Sequence, residues 1–270
     1  MYAKLWANIE TNMLFYRRNR LLVAAALFIV LVMCLTSIPA IVFTSKSQHL
    51  DLIKVVLNMV TSFGTIVTVG LGLMLVSQHI RDRSVKMIFT KPCLPEVWLL
   101  GSFLSAGLVA AVLFAGGLLI ASVLFMVWSI PFQSGVLFIV VNEYFQAMSL
   151  MAFATFLSVV FHPVMALFVL LVLREGMFYW LKVMLAGGIK ALGESGLAVL
   201  LKVVKFFVDA VYMIWPTFAP YSEKMMKLGN SLRGADADWM YLGLAAMYSI
   251  VLTAAFYFLT GYVLKKKRYV

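Results

Sequence analysis

Through the first 20 positions, Tyr2, Leu5, Trp6, Ile9, Met13 and Tyr16 recur at helical spacing, with Lys4, Asn8, Glu10 and Asn12 between them. The pattern predicts an amphipathic helix over 1–20, lying in a membrane interface. Residues 21–43 then carry no charge for 23 positions. Such a run is long enough to cross a hydrocarbon core of roughly 30 Å and too long for the apolar core of a cleaved leader. Further apolar runs at 53–76, 99–128, 136–161, 164–180 and 241–263 predict five more spans. Pro131 marks the turn after the third, and His162-Pro163 a tight turn after the fourth.

Between Arg174 and Asp238 the pattern changes. Residues 176–188 are too few to span, and in 195–215 the charges Lys202, Lys205 and Asp209 form a narrow stripe along one helical face. The expectation is external amphipathic helices within 181–238, partly sunk in a leaflet, with an extra membrane hairpin as the alternative. Either arrangement keeps the number of crossings even. Trp215, Pro216 and Pro220 break the periodicity, and 223–238 reads as loop.

Composition agrees with the pattern. The chain is 64% hydrophobic and 12% charged, against about 45–50% and 25% in soluble domains. The fold class expected is therefore an all-α polytopic membrane protein, one six-span domain over 1–270.

The net charge of +11 is distributed rather than clustered on one surface. Lys4, Arg17, Arg18 and Arg20 precede the first span, Arg81, Arg83, Lys86 and Lys91 fall within 77–98, and Lys265, Lys266, Lys267 and Arg268 follow the last. The positive-inside rule then places both termini and segment 77–98 in the cytoplasm. No basic stripe interleaved with aromatics points to nucleic acid.

Catalytic chemistry is sparse. The Gly-Lys pair that closes a Walker phosphate loop does not occur in the sequence. His49, His79 and His162 are expected in separate loops without metal-site spacing, and Cys34 and Cys93 frame neither a metal site nor a disulfide scaffold. No nucleophile elbow is present. Ionisable groups within a bilayer are costly and so mark function. The candidate here is Glu143, with Asn142 and Gln146, either lining a polar translocation path or lying at headgroup depth. Small residues Gly64, Gly70, Gly72, Gly101, Ser105, Gly116 and Gly117 read mainly as intramolecular packing positions, and more weakly as a dimer seam.

Segment 77–98 is the most informative. Charged Ile80-Arg81-Asp82-Arg83-Ser84 leads to apolar Met87-Ile88-Phe89, then Thr90-Lys91-Pro92 and Pro95, before Leu99-Leu100-Gly101 opens a span. A short helix with an apolar knob and charged flanks suits a groove on a soluble partner.

At these residues the chain resembles the permease subunits of type-2 ABC exporters. It looks closest to the small six-span branch labelled as multi-copper-enzyme maturation components. That family's pattern reads approximately Arg-Asp-Arg-Gly-Thr, about six residues, Lys-Pro, then Leu-Leu-Gly-Lys; here it stands as Arg81-Asp82-Arg83-Ser84-Val85, Lys91-Pro92 and Leu99-Leu100-Gly101-Ser102. Ser84, Pro95 and Ser102 depart from it. The order of an elbow helix, a long loop before the last span with Pro216 and Phe218, and a basic end is similar over nearly the whole chain.

The resemblance implies a division of labour. A separate ABC ATPase pair would bind ATP and magnesium, so this chain would hold no cofactor and would not itself be an enzyme. Arg81, Asp82, Arg83, Met87, Ile88, Phe89, Lys91 and Pro92 would couple that ATPase to the spans of two permease copies, identical or paralogous, in the plasma (inner) membrane. The cargo would be hydrophobic or amphipathic. The alternatives are a subunit that transmits ATP-driven force to an external accessory protein, and an ion-coupled secondary transporter.

Overall fold

The computed structural model describes residues 2–18, 49–81, 95–172, 175–193, 196–214, 232 and 238–266 of the 270-residue chain. Among the described residues there are eight α-helices and no strand: α1 (Tyr2–Arg18), α2 (His49–Arg81), α3 (Pro95–Val127), α4 (Gly135–Val160), α5 (Pro163–Val172), α6 (Glu175–Leu192), α7 (Gly196–Ile214) and α8 (Trp239–Lys266). By length and composition, α2, α3, α4 and α8 are able to cross a membrane. The expected span at 21–43 lies outside the described residues.

Side-chain pairings give the helix directions. Val60 and Gly64 of α2 lie against Gly117 and Phe114 of α3, so these two helices are antiparallel. Phe138, Phe145 and Phe153 of α4 meet Tyr241, Ser249 and Phe256 of α8 in the same order, so those two are parallel. The end of α2 at Arg81, the start of α3 and the end of α8 at Lys266 therefore share one end of the bundle, here called the basic end. At the opposite end, Ile53, Leu57, Phe125, Val136 and Tyr241 form one apolar cluster. A second cluster, Leu75, Val76, Trp98, Leu99 and Leu264, fills the basic end.

α4 is the central helix. In the most apolar 18-residue window of each helix, 56% of α4 is buried by the rest of the chain, against 11% of α8. Close contact with α2 depends on Gly72, where an added Cβ would lie 2.5 Å from the Met151 carbonyl oxygen. Gly64, Gly72 and Gly117 are thus intramolecular packing positions. Among the described residues, nothing lies within 4 Å of where a Cβ on Gly70 or Gly116 would stand.

Helix ends follow local chemistry. Asp238 Oδ1 accepts the Tyr241 amide at 3.0 Å, capping α8. The Phe161 amide closes α4 on the Leu157 carbonyl, and Pro163 begins α5, where its missing N–H is least costly. Gly193, with φ of +56°, ends α6 in the left-handed conformation that glycine adopts without strain.

Several boundaries differ from the sequence pattern. α2 continues past 76 to Arg81 and α3 begins at Pro95, so both ends of the expected 77–98 segment are helical. His49 and His79 accordingly lie on α2 rather than in loops. The ring of His49 stacks on Trp128 with centroids 4.8 Å apart, and His79 meets Trp98 edge-on at 5.4 Å. The expected division at 180 falls inside α6, because no glycine or proline interrupts 177–186. The expected fifth span, 164–180, corresponds to α5 and the start of α6, with 173 and 174 outside the described residues.

Candidate functional site

Four helices meet at the basic end, around the first turns of α3. Asn8 of α1 donates its amide to the Trp98 carbonyl at 2.8 Å. Asn12, one turn later, reaches both Asn8 Oδ1 and Ser102 Oγ at 3.3 Å, and Ser102 Oγ donates back to the Trp98 carbonyl at 3.0 Å. The result is a closed polar ladder that fixes α1 on α3. An added Cβ on Gly101 would stand 2.5 Å from Asn8 Nδ2, so this glycine is what lets the ladder form. From α8, Lys265 forms an ion pair with Glu96, and the Tyr257 hydroxyl donates to the Glu96 carbonyl at 2.8 Å. From α2, His79 packs on Trp98.

Burial pushes the Tyr16 phenol on α1 above the ordinary tyrosine range, outweighing a hydrogen bond with Ser105 that lowers it. Tyr16 therefore acts as a neutral hydroxyl at the packed end of its helix.

Of the candidate coupling residues, Arg81 is the last residue of α2. Asp82, Arg83, Met87, Ile88, Phe89, Lys91 and Pro92 lie outside the described residues. Their two points of attachment, Arg81 and Pro95, are both at the basic end.

The candidate path residues occupy a different place. Asn142 is buried on α4, 2% exposed, and its Oδ1 has no hydrogen-bond partner among the described residues. Glu143 and Gln146 are half-buried and partnered. These three lie in the half of α4 remote from the basic end, so the fold does not join the two sets into one site. No protein-family model, curated protein or solved structure matches this chain. Among the described residues no cluster of His, Cys, Asp or Glu suits a metal ion.

A third feature is the hairpin of α6 and α7. Lys182 Nζ lies 3.1 Å from Asp209 Oδ1 between the two helices, each side chain about one-third exposed. Trp180, Val183, Met184, Leu200, Val203, Phe206 and Phe207 are exposed around them. The hairpin thus exposes a large apolar surface around one inter-helix ion pair, unlike a helix pair built for water, although Lys190 and Lys202 are also exposed. The sequence stripe Lys202, Lys205 and Asp209 gave one half of this arrangement; its partner Lys182 sits 20 residues before Lys202 and is not found by periodicity within α7.

Proposed function

We propose that the chain is the membrane-spanning permease subunit of an ATP-binding cassette exporter, driven by a separate ATPase pair and moving a hydrophobic or amphipathic substrate. One observation carries the reading: both attachments of segment 82–94 lie where α1, α2, α3 and α8 are tied together through Glu96, Trp98 and Lys265. Motion imposed on that segment would pass directly into four helices. This arrangement suits a coupling element, and a loop that merely joins two helices does not need it.

The reading carries six spans: residues 21–43, the four long apolar helices, and α5 with the start of α6. It puts the basic end in the cytoplasm of a plasma (inner) membrane, consistent with the lysines and arginines there. Two copies, or this chain and a paralogue, would enclose the pathway. ATP and magnesium would be held by the ATPase alone.

The test is co-expression with the ATPase encoded beside this chain, purification in detergent, and chromatography. Co-elution as a two-plus-two complex, lost on Phe89→Asp or Arg83→Glu, is the expected result. Stable, active transport without any ATPase would overturn the reading and favour ion coupling. The buried Asn142 Oδ1 beside Glu143, without a partner among the described residues, is the observation that would then matter.

A further inference from the structure

α8 lies along α4 in one register. Phe138 stacks on Tyr241, the Ser249 hydroxyl donates to the Phe145 carbonyl at 2.5 Å, and Phe153 meets Phe256. Continuing that register by helical spacing sets Ala245, 1% exposed, across from Asn142, 2% exposed. A methyl group offers an amide nothing, and Asn142 Oδ1 has no hydrogen-bond partner among the described residues. One turn further toward the basic end, the same face of α8 carries the Ser249 hydroxyl.

The two positions of that hydroxyl are not equivalent. The Phe145 carbonyl lies inside α4 and keeps an intrahelical amide donor, so it loses little when Ser249 leaves. Asn142 Oδ1 is a buried acceptor without a donor, an unfavourable state that Ser249 would relieve. What opposes the exchange sits mostly at the basic end, where α8 is tied to α3 by the half-exposed Lys265–Glu96 ion pair and by the Tyr257 hydroxyl on the Glu96 carbonyl. Exposed ion pairs contribute little. α8 is also the least enclosed of the long helices, with 11% of its most apolar window buried.

We propose that α8 has a second register on α4, in which Ser249 donates to Asn142 Oδ1 instead of to the Phe145 carbonyl. The step is three residues of α4, about 4.5 Å at 1.5 Å per residue, directed away from the basic end. It brings Ala245 opposite Phe138 and Leu252 opposite Phe145, and it draws Lys265 away from Glu96. Discrete shifts of this size between packed helices are an established form of two-state switch. Release of α8 at the basic end is thereby linked to Asn142 in the remote half of α4. The inference concerns the register of two helices and does not depend on the permease reading.

The test uses the full chain in lipid vesicles, with Cys34→Ser and Cys93→Ser so that introduced cysteines report alone. A disulfide requires Cα atoms within about 7 Å. Asn142→Cys with Ala245→Cys reports the resting register. Phe138→Cys with Ala245→Cys reports the shifted one, and Phe145→Cys with Leu252→Cys reports it again with Phe138 intact. Lys265→Ala is expected to raise both shifted cross-links several-fold, and adding Asn142→Leu is expected to abolish the rise. Absence of both shifted cross-links in Lys265→Ala, with or without the resting one, overturns the second register. A rise that survives Asn142→Leu overturns the part assigned to the amide.

Discussion

The hydroxyl of Thr155 on α4 lies 3.0 Å from the carbonyl oxygen of Gly72 on α2, and the backbones meet closely enough that Gly72 has no room for a side chain. Gly72→Ala would press a methyl group against the Met151 carbonyl, which cannot swing aside as a flexible side chain can. The expected loss is about 1–3 kcal/mol, the usual range for overpacking. In a protein of this size that lowers Tm by about 2–4 °C per kcal/mol. Gly70→Ala, where no described residue lies within 4 Å of the added Cβ, serves as the control and should unfold at or slightly above the parent temperature. Since alanine favours helix over glycine, equal losses in both variants would show that the Met151 contact does not set the effect.

Gly101 and Asn8 have a similar relationship at the basic end. Gly101→Ala should displace Asn8 and break the ladder to Asn12 and Ser102, at a cost of about 1–3 kcal/mol. Combining it with Asn8→Ala should recover part of the loss, because the clash partner is removed. A double variant as unstable as the sum of the singles would refute the contact.

The Glu96–Lys265 pair is about half-exposed on both sides. Such pairs contribute about 0.2–1 kcal/mol. Glu96→Lys should therefore lower thermal stability only slightly, and Glu96→Lys with Lys265→Glu should restore it. Under the permease reading the single reversal should lower ATPase-driven transport more than it lowers Tm. Parallel losses in the two measurements would assign the pair a structural role alone.

Asn142 Oδ1 is buried without a partner among the described residues, so Asn142→Leu is expected to remove a polar group whose burial is unfavourable. Stability is expected to be unchanged or higher by about 1 kcal/mol. Thermal unfolding measures this directly, and a substantial drop in Tm would mean that the amide makes a necessary contact.

The four long helices were legible because each is a long apolar run, and their limits in sequence and structure agree within a few residues. The ends were less legible. Ser77, Gln78 and His79 are polar and read as loop, yet they extend α2 as helix, with Gln78 and His79 lining a cavity shared with α1 and His79 against Trp98. Asn8 and Asn12 looked like the wet side of an interfacial helix. Their i, i+4 spacing was visible, but their partners on α3 are 90 residues away, and only the tertiary fold brings them together. Of the expected amphipathic region 181–238, residues 194–195, 215–231 and 233–237 lie outside the described residues. α7 does carry one polar stripe, and Asp209 within it pairs with Lys182 on α6.

That pairing bears on how the chain is made. α6 and α7, at about 27–29 Å each, both carry charge that is expensive to place in lipid alone. Joined after Gly193, they pair Lys182 with Asp209 and present many apolar residues outward, while Lys190 and Lys202 stay exposed. They are therefore expected to leave the ribosome as separate, poorly inserting segments and to enter an apolar environment as a preassembled unit. The short turn between them keeps the waiting time brief, since closing a loop of about ten residues takes only tens of nanoseconds.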